Sequence, residues 1–187
     1  MVHQHVQFVF TVQQDGYGDQ TQGEVLGFGL RTCDVAPLQP LPNDPLVQSF
    51  EAGNTVDTAD LQPNMQSALN CVQTAVTNAG GTLMVNSAYR PSAYQSHLRE
   101  VWDKWSLLRD RRETECQDLR NQVQAEFNKH GLLLTQRPAS ANGPHTQGLA
   151  IDMQSSLPLQ QFLNICINNC GLYRPLPTTD PVHFVHQ

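Results

Sequence analysis

The sequence predicts an α+β fold in which helices pack on a small sheet, with a strand-rich segment ahead of it. Three observations carry this. Stretches with apolar residues at helical spacing, at 60–79, 92–130 and 156–170, are interleaved with short apolar runs at 82–87, 149–153 and from 182. Residues 2–12 alternate with period two. The chain has 187 residues, 39% of them hydrophobic, enough for one domain with a core.

In the first segment Val2, Val6, Phe8, Phe10 and Val12 share one side of a strand, with Gln4 out of place among them. His3 and His5 fall on the other side and read as the solvent face of an edge strand. Five glycines between Gly16 and Gly29 mark turns and a short strand at 24–30. No helix follows them, which excludes a dinucleotide or phosphate loop. Pro37, Pro40, Pro42 and Pro45 make 34–47 a loop or connector, and we place the domain boundary at 55/56.

A helix begins near Asp60 with Pro63 in its first turn, and Met65, Leu69, Val72 and Val76 form its buried stripe. Gly80-Gly81 ends it. The run 82–87 is the first central strand, and it delivers Ala88-Tyr89-Arg90-Pro91. From Ser92 a long helical region places Tyr94, Leu98, Trp102, Trp105 and Leu108 on one face. Leu119, Val123 and Phe127 continue a face towards His130-Gly131, and a span of this length predicts a two-helix hairpin. A loop rich in Pro, Ser, Asn and Gly carries His145, and Asp152 lies near the end of the strand 149–153. Ser156 and Pro158 open a last helix, with Phe162 and Cys166 inward and Gly171 as its stop. A final strand starts at about Val182.

Charged residues make up 15% of the chain and the net charge is −6, which excludes a broad basic footprint for nucleic acid. The basic residues between Arg99 and Arg120 alternate with acids, as on a solvated helix face. No apolar run approaches a membrane span. The start has neither the basic region nor the apolar run of a secretory signal. That leaves retention in the producing cell, release by lysis, carriage by a delivery machine, or a fragment that has lost its signal. Of the five cysteines, Cys166 and Cys170 read as small core residues at i, i+4. Cys33 can pair with a later cysteine if the protein works outside the cytosol.

The chemistry concentrates in two stretches, Gly143–Asp152 and Asp180–His186. His145, Asp152 and His183 offer two imidazoles and a carboxylate, the three-ligand set of a catalytic zinc site with a fourth position for water. Gly148 lets the backbone between the first two turn or approach closely. Asp180, three residues before His183 and across Pro181, is the candidate base. Arg90, at a strand end, is the candidate cation for a developing oxyanion or a substrate carboxylate. Tyr89 and Gln95 are candidates for lining the same pocket. His186 falls on the opposite strand face from His183 and reads as a supporting or terminal surface residue. His97 and His130 read as ordinary surface histidines.

His145-x-x-Gly148-x-Ala150-x-Asp152, followed by Asp180-x-x-His183-Phe184, resembles the signature of the VanY-type D-alanyl-D-alanine carboxypeptidases. Their zinc peptidase group also includes phage L-alanyl-D-glutamate endolysins and the Hedgehog signalling domain. Ser87-Ala88-Tyr89-Arg90 is similar to the family's upstream Ser-Gly-Tyr-Arg element, with Gln95 following, and Gly171–Pro175 has its flavour too. The resemblance covers about 60–187. It implies an antiparallel sheet with helices packed on it and a single catalytic zinc held by His145, Asp152 and His183. It also implies Asp180 as catalytic carboxylate and Arg90 as transition-state or carboxylate contact. Two departures stand out. Gly143 replaces a usual Ser, and Asp180 stands where many carboxypeptidase members have Glu, which leans towards the endolysin-like members.

The reading is therefore a zinc metallopeptidase of peptidoglycan stem peptides, acting in the cell wall or periplasm. A lysis enzyme, a phage-particle component and an injected antibacterial effector all fit it, the last with a delivery machine or immunity partner. The alternatives are a zinc-holding recognition module without catalysis and a cytoplasmic D,D-dipeptidase.

Overall fold

The computed structural model describes residues 32–54 and 56–186. The strands expected at 2–12 and 24–30, with His3 and His5, lie outside the described residues. From Thr32 onward the chain forms one compact unit.

Its centre is a four-stranded antiparallel sheet, as the family resemblance implied. The strands are β1 (Leu83–Ser87), β2 (Ala150–Ser155), β3 (Leu172–Tyr173) and β4 (His183–His186), in the order β1-β2-β4-β3. Side chains alternate across β2. Ile151 and Met153 therefore point into the main core, and Asp152 points to the opposite face. Asp152 lies directly across from His183 on β4, and an irregularity between Val85 and Ser87 brings Ser87 opposite Asp152 on the other side. The register alone thus puts two of the proposed ligands side by side.

Helix α2 (Pro63–Asn78) has proline at its first position and buries Met65, Ala68, Val72 and Val76 against Ile151, Met153 and Phe184. Leu69, expected in this stripe, is half-buried, and Ala68 takes the inner position. Met65, Val72 and Val76 are wholly excluded from water. Truncating Met65 to Ala would cost about 2–5 kcal/mol. A short helix (Leu159–Asn164) runs into a wide π-helical turn (Ile165–Asn169) and closes this core with Phe162, Ile165 and Cys166.

The long helical span is a hairpin, α3 (Ser92–Leu108) and α4 (Gln117–Lys129). The Pro-rich run expected to be a connector ends in a helix, α1 (Pro45–Glu51). Asp44 caps it, its carboxylate accepting from the backbone N–H of Leu46 (2.9 Å) and Val47 (3.0 Å). Val47 and Phe50 of α1 pack on Tyr94 and Leu98 of α3, and Cys33, Val35 and Leu38 pack near Leu108, Leu119 and Val123. Residues 32–54, assigned from sequence to a separate N-terminal segment, are thus part of the same packed unit. Among the basic residues of α3 and the following turn, Lys104 pairs with Glu100, Arg109 with Asp110 and Arg111 with Asp34.

Two disulfides brace this arrangement, Cys33–Cys116 and Cys71–Cys170. They close loops of 83 and 99 residues, and loop-closure entropy makes each worth up to about 4.5 kcal/mol. Cys170 is thereby removed from any metal pair with Cys166, which stays a free, buried thiol pushed up to about 12 by burial.

His97 and His130 are not surface residues. His97 is 8% exposed and the His130 side chain 4%, because α1 closes over the hairpin where they sit. Covering by a helix distant in sequence defeats a reading made one residue at a time.

Candidate active site

His145 sits in a tight 3-10 turn, Pro144–Gln147. The turn is fastened by Thr146, whose hydroxyl donates to the Gly143 carbonyl (2.8 Å). Gly148 ends the turn with φ +69°, in the left-handed region. A Cβ there would come within 2.7 Å of the Asp60 carbonyl and 3.0 Å of the Gln62 nitrogen. Gly148 therefore supplies both an unusual φ and a close approach to the lead-in of α2, and its carbonyl accepts from the Gln62 N–H (3.0 Å).

The imidazole is oriented from the strand end of β1. His145 Nδ1–H donates to the Ala88 carbonyl (2.7 Å), and the Arg90 N–H donates to the His145 carbonyl (3.1 Å). With the proton on Nδ1, the lone pair of Nε2 faces the sheet end. There it lies 3.1 Å from His183 Nδ1 and 3.3 Å from Asp152 Oδ1, and those two are 3.0 Å apart. Three donor atoms from one loop and two neighbouring strands form a nearly regular triangle. Burial alone would raise the Asp152 pKa, but the imidazoles of His145 and His183 outweigh it and hold the carboxyl well below the usual range. Asp152 is ionised, as a metal ligand must be.

Tetrahedral zinc with bonds of about 2.0–2.1 Å to His and carboxylate requires ligand atoms about 3.3–3.4 Å apart. The triangle meets that requirement with an adjustment of a few tenths of an ångström, and its donor chemistry fits the ion.

The triangle opens onto a cavity of about 700 Å³, within the range of small-molecule sites. Asp180, Arg90 and Gln95 line it. Asp180 stands outside the triad, whose ligand atoms all lie within 4.8 Å of one another. Its main-chain carbonyl accepts from the His183 N–H (3.3 Å), so the turn at Pro181 ties the two backbones together. Arg90 donates to Gln95 Oε1 (2.8 Å) and Ser87 Oγ (3.1 Å), and among the described residues no carboxylate pairs with it. Burial lowers its pKa, with Asp152 opposing, yet a guanidinium stays charged at neutral pH.

Gln95 is buried and used on both sides: it accepts from Arg90 and donates to the Ala139 carbonyl (2.9 Å). It thus fixes the cation and the loop that walls the cavity. That loop is also held by α3 through Trp102, donating to the Leu133 carbonyl (2.9 Å), and through Arg137 paired with Asp103 (2.7 Å). Tyr89 is not among the cavity-lining residues. Its N–H bridges to Asp57 (2.9 Å) and its side chain packs against the main core, near Asp60 and Asp57. His186 faces away from the site, with Nδ1 3.2 Å from the Asn64 side-chain amide.

No family model matches the chain, and no curated protein matches it. Among solved structures, this chain is similar to a mutant of the vancomycin resistance D,D-pentapeptidase VanY, from a VanB-type resistance cassette, in complex with Zn(II). The identity is 16%, the TM-score 0.40, and the overlap covers 67% of this chain and 72% of that one.

Proposed function

We propose that this chain is a zinc-dependent peptidase that hydrolyses amide bonds in peptidoglycan stem peptides, as an L,D-endopeptidase or a D,D-carboxypeptidase. One observation carries the hydrolase reading. The lone-pair triangle of His145, Asp152 and His183 opens onto a cavity that also holds Asp180 and Arg90. The choice of substrate class rests on the three ordered motifs and their resemblance to the VanY-type family.

Zinc, when bound, supplies Lewis acidity that polarises a carbonyl and acidifies water. The residues supply the rest. Asp180 accepts a proton from the attacking water and delivers it to the amine nitrogen as the C–N bond breaks. Arg90, held by Gln95 and Ser87, presents a fixed positive charge to the oxyanion or to a terminal carboxylate of the substrate. A recognition module would need neither group in the cavity. Two disulfides favour an oxidising compartment, the periplasm or wall, over a cytoplasmic dipeptidase.

Digestion of purified peptidoglycan by zinc-loaded protein, read by mass spectrometry of muropeptides, tests this directly. Shortened stems or new amino termini, lost on chelation, are the expected products, and their masses fix the scissile bond. Intact muropeptides from every wall preparation, with zinc demonstrably bound, would put the recognition module in its place.

A further inference from the structure

A second group of metal-capable side chains lies between the helices. Glu51 ends α1, His97 sits on α3, and Glu126 and His130 lie four residues apart at the end of α4. One ligand atom from each falls within 4.8 Å of all the others. His130 Nε2 is 3.2 Å from Glu126 Oε2 and 3.5 Å from Glu51 Oε2, and His97 Nε2 is 3.6 Å from Glu126 Oε2. These separations bracket the roughly 3.3–3.4 Å between ligand atoms of a tetrahedral zinc ion.

The polar atoms here are in ion-pair range but poorly aligned for hydrogen bonds. Among the described residues, seven buried side-chain nitrogen and oxygen atoms have no hydrogen-bond partner. Five of them are here: Glu51 Oε2, both ring nitrogens of His97, Glu126 Oε2 and His130 Nε2. Such a concentration of buried, unsatisfied atoms demands a partner. The surroundings already orient them. His130 Nδ1 lies 3.2 Å from the Tyr94 hydroxyl, a contact that holds the ring with Nε2 facing the glutamates. Lys129 holds Glu51 Oε1 from outside, so that Oε2 turns inward. Two carboxylates balance the charge of one divalent ion.

We propose that Glu51, His97, Glu126 and His130 form a second metal site, which takes one divalent transition-metal ion of the zinc class. None of the four lines the cavity of the triad. Four protein donors without an open position make this a structural site, one that pins α1 to the α3–α4 hairpin.

The test is zinc stoichiometry of the full chain, stripped of metal and then dialysed against Zn²⁺, by elemental analysis. Wild type is expected to hold two equivalents. His145→Ala should hold one, Glu126→Gln one, and the double variant none. Cobalt makes the assignment independent of counting: Co²⁺-loaded His145→Ala should show visible d–d absorption that the double variant lacks. If Glu126→Gln does not fold, the His145→Ala chain alone decides, because zinc should still raise its melting temperature. The proposal is overturned if Glu126→Gln holds as much zinc as wild type. It is equally overturned if His145→Ala neither binds zinc nor gains thermal stability from it. Loss of the triad's zinc alone would leave one equivalent that Glu126→Gln removes, so failure of the active-site reading is separately visible.

Discussion

At the end of the sheet, three donors from a loop and two paired strands face a cavity of about 700 Å³. Between the helices, four donors from three helices face one another, with Lys129 at the rim, 3.7 Å from Glu126 Oε2. The residue types are nearly the same, imidazoles and carboxylates, and each cluster has an outer partner that holds an imidazole in place: the Ala88 carbonyl for His145, the Tyr94 hydroxyl for His130. The difference lies in how many elements close around the ligands. On the sheet face, one side of the triangle is left open to the cavity. A helix lying across a hairpin closes that side with a fourth ligand. Donor count and closure, more than donor identity, separate a site for chemistry from a site for bracing.

Chelation should break the two apart, and it carries the largest expected effect. Brief treatment of the two-zinc protein with a chelator, then desalting, should abolish turnover while about one equivalent of zinc remains. Simultaneous loss of both ions would erase the proposed contrast in closure. Asp180→Asn comes next. If Asp180 is the base, turnover should fall by about 10²–10⁴-fold with the zinc content unchanged, as measured by steady-state kinetics and elemental analysis on the same sample.

Two glycines sharpen the comparison at the level of the backbone. Gly148 follows His145 and Gly131 follows His130, with φ of +69° and +58°. Both substitutions to alanine incur the left-handed strain of about 1–2 kcal/mol. Only Gly148→Ala also drives a Cβ to 2.7 Å from a backbone oxygen, whereas nothing lies within 4 Å at Gly131. Gly148→Ala should therefore cost about 2–5 kcal/mol in urea unfolding and also impair zinc binding at the triad. Gly131→Ala should show the strain alone, and equal losses for both would contradict the close packing around Gly148.

The two regions were not equally legible. His145, Asp152, Asp180 and His183 lie in short ordered motifs in or just before strands, where spacing along the chain nearly fixes spacing in the fold, and the β2–β4 register does the rest. The fold class and the main helices were readable for the same reason, from apolar periodicity. The helix cluster depends on Glu51 meeting residues 46 or more positions away, beneath a helix that four prolines disguised as a connector. Part of it could have been found. His130 continues the stripe of Val123 and Phe127, and His97 lies beside Tyr94, Leu98 and Val101, so both belong to inward faces. Asp44-Pro45 is a helix-start signal. The backbone pairing of Tyr89 with Asp57, a non-strand neighbour, has no local signature.

The smallest effect concerns two exposed cations, one per region. Lys129 holds Glu51, and Arg137 pairs with Asp103 beside the cavity wall, stacked 5.7 Å from the Trp102 ring. Lys129 is half exposed, so solvent screens its side of the pair and Lys129→Gln should change stability by about 1 kcal/mol. Its effect should appear instead in zinc affinity at the helix cluster, because a freed Glu51 carboxylate no longer presents Oε2 inward. Loss of an outer-shell partner typically costs about 10–100-fold in metal affinity. Arg137→Gln is the matched control. It should leave that affinity unchanged and raise KM more than it lowers kcat, since it loosens only the loop that shapes the cavity. Competition titrations with a zinc-sensitive dye on both variants read the difference. An equal drop in affinity for both would mean that Lys129 acts through bulk charge and not by orienting Glu51.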